Sequence, residues 1–134
     1  MRYLAWLNTA PEVPEGKQQQ RATTRREQME ATGIEPVIIE PEWGAYLLGY
    51  LFEFGPVGPE GPLTAGDVRD VEAVLGVEFE PWESRLLIRL SREYQGELHK
   101  AAKPNAPCPW PEVAWQWRKA QYLAMERNLD AFCR

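Results

Sequence analysis

The residues of this chain that are best able to do chemistry are one histidine and two cysteines, which lie far apart. His99, Cys108 and Cys133 are residue types that bind zinc or serve as a base and nucleophile. Their spacing matches no closed zinc site, and the sequence supplies no third group to orient the base of a catalytic pair. We therefore expect no metal, no cofactor and no catalytic residue, and a protein that is not an enzyme.

Glu93 and Glu97 are a second candidate, because carboxylates four residues apart share one face of a helix. Such a pair could act as a general acid and base, as in glycoside hydrolysis. Like-charged neighbours are also common on a solvated face, and Arg89 is spaced to pair with Glu93. The pattern indicates surface ion pairs rather than catalysis.

The glycine-rich stretch 55–62, "GPVGPEGP", is the candidate for a phosphate-binding loop. It lacks the Gly-Lys-Ser/Thr ending of such loops, and its prolines have no amide hydrogen to donate. We interpret it as a rigid, extended connector.

Three arginines, Arg85, Arg89 and Arg92, recur at helical spacing opposite a stripe of leucines. They form either the solvated side of a core helix, with local glutamate partners, or a surface for an acidic partner. The net charge of −5 has the wrong sign for a protein that neutralises phosphates, so nucleic acid is not an expected partner.

Aromatic residues are concentrated between residues 43 and 54, and they exceed what one core-facing stripe needs. They either fill the core or leave aromatic surface for a groove that receives an amphipathic helix of a partner. Together with the arginines they make up the candidate partner-binding residues, which are Trp43, Tyr46, Tyr50, Phe52, Phe54, Arg85, Arg89 and Arg92.

Helical patterns cover most of the chain and predict an all-α fold, an irregular small domain of about four helices joined by Pro/Gly-rich connectors. Thr64 and Asp67 resemble a capping box, Gly76 ends that helix, and Pro81 suits the first turn of the next. We expect a helical domain over 37–134, with helices at 43–54, 64–76, 81–102 and 111–132. In the last helix, Trp115, Tyr122, Met125, Leu129 and Phe132 lie along one side.

Residues 1–36 are expected to form an N-terminal arm. The short apolar run 2–7 is a strand or a helical turn, and the polar segment 17–32 is a solvated helix or a disordered arm. Its cluster of Lys17, Arg21, Arg25 and Arg26 could attract the acidic segment 34–66, within one chain or between copies of a homo-oligomer.

Size and composition limit the location and the number of domains. A chain of 134 residues supports one core, and no run reaches the roughly 18 apolar residues of a membrane-spanning helix. We expect no membrane association, and we expect both thiols to stay reduced in a cytoplasm.

Residues 43–110 resemble the tail assembly chaperones that are encoded among the tail genes of long-tailed bacteriophages and prophages. The matching segments are "YLFEFGPVG" (50–58), "GPLTAGDV" (61–68), "LGVEFEPWESRLLIRLSREY" (75–94) and "APCPW" (106–110). Their order, from aromatic helix through Gly/Pro loop to the "PLT" and "PWE" helix starts and "RLSREY", carries the resemblance.

The resemblance implies a non-enzymatic role in the host cell cytoplasm. Proteins of this family hold the helical tape measure protein until the tail tube polymerises around it, so the tape measure protein and possibly the tail tube protein are expected partners. Two alternatives stay open: a minor structural component retained in the virion, and a phage protein that binds and inhibits a host factor.

Overall fold

The computed structural model describes residues 1–13, 22–36, 38 and 40–133, with the side chains of 111–117, 121 and 124 outside that description. Over these ranges the chain contains α-helices and no strand, which confirms the all-α prediction. In chain order the helices are α1 (Arg2–Asn8), α2 (Arg25–Ala31), α3 (Ala45–Phe54), α4 (Ala65–Leu75), α5 (Pro81–Ala101) and α6 (Pro111–Phe132). Within the described part of the chain, no helix has the length and apolar character needed to cross a bilayer.

The four predicted helices are present as α3 to α6, and their start signals act as expected. Thr64 Oγ1 accepts a hydrogen bond from the Asp67 amide at 3.2 Å, and Asp67 Oδ2 accepts one from the Thr64 amide at 2.7 Å. At the start of α5, Glu83 Oε2 accepts from the Glu80 amide at 2.8 Å, which closes a capping box before Pro81.

One predicted boundary is wrong, and the cause is a glycine. We expected a helix from Trp43, but α3 begins at Ala45 because Gly44 adopts a left-handed φ of 75°. Only glycine reaches this region without a steric penalty, so Gly44 turns the chain there. Trp43 therefore lies outside the helix that the sequence assigned to it.

The apolar run near the N-terminus is helical, and α1 packs against α5. Tyr3, Trp6 and Leu7 are buried in one cluster with Ala101 at the end of α5. The Trp6 indole Nε1–H also donates to the Ala106 carbonyl at 3.0 Å. The arm that we predicted over 1–36 is thus joined through α1 to the core of the helical domain.

Helix α2 corrects our expectation of a solvated or disordered segment. Met29 and Arg25 are buried, and Met29 belongs to the same cluster as Trp6. The guanidinium of Arg25 donates to the carbonyls of Trp6 at 3.3 Å and Lys103 at 3.0 Å and lies 5.0 Å from the Trp6 ring centroid. These contacts replace lost hydration, although burial still lowers the pKa of Arg25 below its ordinary value.

This burial bears on the proposed contact between copies. Arg25 was one of four basic residues expected to attract the acidic segment 34–66, but its guanidinium is committed to carbonyls of its own chain. Lys17 and Arg21, two others of that set, lie outside the described residues.

The second buried cluster lies where α3 crosses α5, and it consists of Leu47, Leu51 and Leu87. Leu63 and Phe79 from the flanking connectors pack against it. Because Leu87 and Ala101 both belong to α5, this helix supplies buried residues to both clusters. It packs against α1, α3 and α4.

The Gly/Pro connector after α3 is fixed by one buried serine of α5. Ser91 Oγ donates to the Pro56 carbonyl at 2.6 Å and accepts from the Leu63 amide at 2.8 Å. The connector is not extended as predicted, because Gly58 and Gly61 exchange backbone hydrogen bonds and close a tight turn. The two hydrogen bonds of Ser91 therefore fix both ends of the connector to α5.

Candidate functional site

An apolar groove opens between α1, α3 and α5, with a volume of about 740 Å³. Leu86 and Leu90 of α5 and Leu47, Leu48 and Phe52 of α3 form much of its wall. Leu86 and Leu90 are four residues apart, so they occupy one face of α5. The crossing of α3 over α5 thus creates the groove.

The remaining wall comes from the N-terminus and from connecting segments. Ile38 and Trp43 precede α3, and they are 43% and 70% exposed. Apolar side chains left this exposed beside a concave apolar surface mark a site where another molecule can bury them. These further wall residues are Met1, Tyr3, Leu4, Ile38, Pro41, Trp43 and Trp110.

Few charged groups line the groove. Glu40 supplies the only charged side chain among the described residues that line it, and this side chain is exposed. It lies in the acidic stretch 34–66, which contains no lysine or arginine. The groove is therefore suited mainly to an apolar surface.

The structure divides the aromatic candidates into two groups. Trp43 and Phe52 line the groove, and Phe52 meets the ring of Tyr94 edge-on at a centroid distance of 5.4 Å. Tyr50 instead contacts Phe79 edge-on at 5.6 Å, on the side of α3 that packs over the start of α5. Some aromatic residues of segment 43–54 are therefore used in packing, and others line the groove.

A hydrogen bond made by Tyr46 connects α3 to α5. Its hydroxyl donates to Glu83 Oε1, while the other oxygen of Glu83 completes the cap of α5. This hydrogen bond, with the nearby negative charge, raises the pKa of Tyr46 above its ordinary value of 10.0. Phe54, the last residue of α3, is 38% exposed and lies outside the groove wall.

The three arginines at helical spacing on α5 lie outside the groove. Arg85 Nε donates to the Pro81 carbonyl at 3.0 Å, and Arg89 Nε pairs with Glu93 at 3.3 Å across one turn of α5. All three arginines are exposed, Arg92 included. Local pairs of this kind contribute little to stability, and their geometry is that of a solvated helix face.

The histidine and the cysteines are not brought together. His99 and Cys133 are exposed, and the half-buried Cys108 donates its S–H to the Trp110 carbonyl at 3.2 Å. Among the described residues, no three His, Cys, Asp or Glu side chains form a group that could hold a metal ion.

The sequence did not identify several groove residues. Leu4, Ile38, Pro41 and Trp110 belong to segments that we assigned to an arm or to connectors. Trp110 had one signal, since it ends the "APCPW" segment of the family resemblance. The others line the groove only because α1 and residues 38 and 40–44 lie beside α3 and α5, which no local pattern encodes.

Comparison of this chain with family models, with curated proteins and with solved structures finds no match. The resemblance of residues 43–110 to tail assembly chaperones therefore stays a prediction.

Proposed function

We propose that this protein is a non-enzymatic tail assembly chaperone of a long-tailed phage, which holds helices of the tape measure protein in the groove between α1, α3 and α5. The groove is the observation that carries the proposal. Its wall is apolar, it is open to solvent, and it contains Trp43, a residue type that often dominates binding energy.

The shape and chemistry of the groove favour an amphipathic helix as occupant. A helix places apolar residues on one face at intervals of three and four, and such a face buries well in an apolar channel. A basic residue beside that apolar face can pair with Glu40 at the wall. The resemblance to tail assembly chaperones implies that the tape measure protein is the source of such helices.

A chaperone must also remain dispersed while it exposes apolar surface. The net charge of −5 opposes aggregation of the free protein, and the exposed arginines and glutamates of α5 keep its outer face hydrated. Binding and release of a helix in this groove require no bond-making chemistry and no cofactor. The work takes place in the host cell cytoplasm, before the tube protein assembles.

Co-purification with a tape measure fragment tests the proposal. The protein is co-expressed with a tagged helical segment of the tape measure protein, and the amount retained with the tag is measured. Trp43→Ala removes an exposed side chain of the groove, and we expect it to weaken retention by at least about tenfold.

Trp82→Ala is the matched control, because Trp82 is 47% exposed but belongs to the start of α5 and does not line the groove. It should bind like the unmodified protein. Equal loss in both variants, or no retention of any tape measure segment by the unmodified protein, would contradict the proposal.

A further inference from the structure

Two buried side-chain donors at the contact of α1 with α2 have no acceptor. They are the hydroxyl of Tyr3, a residue that is 6% exposed, and Nε of Arg26, and neither has a hydrogen-bond partner among the described residues. Tyr3 belongs to α1 and Arg26 to α2, and these helices are in contact. Buried polar groups are nearly always hydrogen-bonded, so two unpaired donors in one place indicate that an acceptor is missing there.

The thiol of Cys108 lies beside these donors. Cys108 is half-buried and packs against the cluster that contains Tyr3 and Trp6. Burial raises the pKa of Tyr3, the charge of Cys108 raises it further, and Arg26 lowers it. Burial lowers the pKa of Arg25, and the charge of Cys108 opposes that shift. Such effects require groups that are close together, so the thiol, the hydroxyl and both guanidiniums form one group, the thiol site.

The positive charge of the thiol site has no carboxylate to balance it. Among the described residues, neither Arg25 nor Arg26 forms an ion pair with an aspartate or a glutamate. Arg25 instead donates to two neutral carbonyls. Positive charge beside a thiol favours the thiolate, which is the nucleophilic form. The site thus combines a potential nucleophile with two donors that are free to bind a newly formed acceptor.

We propose that Cys108 is oxidised to a sulfenic acid by hydroperoxides, and that the new oxygen on Sγ accepts hydrogen bonds from the Tyr3 hydroxyl and from Arg26 Nε. The sulfur attacks one peroxide oxygen, so an S–O bond forms and the O–O bond breaks. The leaving alkoxide or hydroxide takes up the proton that Sγ otherwise donates to the Trp110 carbonyl, which gives an alcohol or water. Sulfur loses two electrons, and the peroxide gains them.

This modification is separate from the proposed function. Cys108 is not among the residues that line the groove, and its oxidation requires no client helix. The thiol site therefore can be tested on the protein alone.

Peroxide treatment of the full chain tests the site, and Cys133 is the control within the same molecule. The reduced protein is exposed to hydrogen peroxide for increasing times, the remaining thiols are alkylated, and mass spectrometry of peptides measures the oxygen added at each cysteine. Cys133 is exposed and Cys108 is half-buried, so accessibility alone predicts faster oxidation of Cys133. We expect Cys108 to react at least about tenfold faster in the folded protein, and we expect this preference to disappear in urea.

Two variants remove the donors one at a time. Tyr3→Phe removes the hydroxyl and keeps the ring that stacks on Trp110 at a centroid distance of 4.6 Å. Arg26→Gln removes one positive charge and the Nε–H. Each variant should slow the oxidation of Cys108 by about three- to tenfold, because one hydrogen bond to the new oxygen is lost.

Two matched controls make the same chemical changes at exposed positions. Tyr122→Phe on α6 and Arg92→Gln on α5 should leave the oxidation of Cys108 as it is in the unmodified protein. Circular dichroism shows whether each variant keeps its helix content. If Tyr3→Phe does not fold, Arg26→Gln still tests the site, because Arg26 is only partly buried.

Three results would overturn the proposal. One is oxidation of Cys133 at the same rate as Cys108, or faster, in the folded chain. The second is a preference for Cys108 that persists in urea, since the folded thiol site would then not cause it. The third is a rate at Cys108 that Tyr3→Phe and Arg26→Gln both leave unchanged, because the two donors would then take no part.

Discussion

Helices α5 and α6 are nearly equal in length, at 21 and 22 residues, and both begin with proline, yet they have opposite surroundings. α5 is packed against α1, α3 and α4, and Leu87, Ser91 and Tyr94 along it are buried. α6 presents apolar side chains to solvent over its described C-terminal half. α5 is the helix on which others pack, and α6 presents an exposed apolar surface.

The difference shows that an apolar stripe does not by itself predict which residues will be buried within one chain. Both stripes have helical spacing, but α5 also has a cap made by Glu80 and Glu83 and a serine that fixes the connector above it. α6 follows Trp110, whose indole is a donor only and cannot cap the amides of a helix start. The start of α5 and its buried serine thus make polar contacts that the Trp110 side chain cannot make at the start of α6.

The largest expected effect comes from truncating leucine in the two helices. Leu87→Ala should lower the free energy of unfolding by about 2–5 kcal/mol, because it leaves a cavity where α3 packs on α5. Leu123→Ala on α6 should change it by less than about 0.5 kcal/mol, as at an exposed site. Urea denaturation followed by circular dichroism measures the free energy of unfolding of both variants. Equal losses would show that α5 and α6 do not differ in how much their leucines stabilise the fold.

A smaller effect is expected from Ser91, the polar anchor of α5. Ser91→Ala should cost about 1–3 kcal/mol, because the Leu63 amide and the Pro56 carbonyl each lose their partner. Ser84→Ala, on the same helix, should fall within about 0.5 kcal/mol of the unmodified protein. A cost at Ser91 no greater than at Ser84 would show that the connector is held by other contacts.

The smallest effect concerns pH and the cap of α4, which packs against α5. Hydrogen bonds from Thr64 hold the pKa of Asp67 below its ordinary value of 3.8. The stability that this adds is therefore present above pH 3.8 and lost as the pH falls through the lower, folded-state pKa.

Unfolding measured against pH should show this loss in the unmodified protein. Asp67→Asn removes the carboxylate that accepts both hydrogen bonds and should give the flattest acid profile. Thr64→Ala removes the hydroxyl donor but keeps the backbone amide donor, so it should flatten the profile less. If the free energy of unfolding varied with pH in both variants as it does in the unmodified protein, the cap would make no pH-dependent contribution to stability.

Much of this fold could be predicted because its signals are local. Thr64, Gly76 and Pro81 mark helix ends through the chemistry of a single turn, and the structure has the ends there. The burial of Arg25 could not be predicted in this way. Its partners are carbonyls of Trp6 and Lys103, the latter 78 positions away, and they become neighbours only after α1 has packed on α5.

The candidate site was predictable only in part, for the same reason. Trp43 and Phe52 could be singled out because they belong to one dense aromatic segment. Leu90, with either Leu86 or Leu87, was expected on the apolar stripe of its helix, and the structure shows that Leu86 and Leu90 line a groove that remains open. Whether an apolar stripe is covered depends on the path of distant segments such as 40–44, which a local pattern does not specify.

The central claim is that the groove between α1, α3 and α5 receives a client helix, and methyl NMR tests it most directly. The full chain, with labelled leucine methyl groups, is titrated with a helical peptide from a tape measure protein. We expect chemical-shift changes at the methyl groups of Leu48, Leu86 and Leu90 of the groove and none at Leu123 of α6. Shifts confined to α6, or no shifts at a saturating peptide concentration, would contradict it.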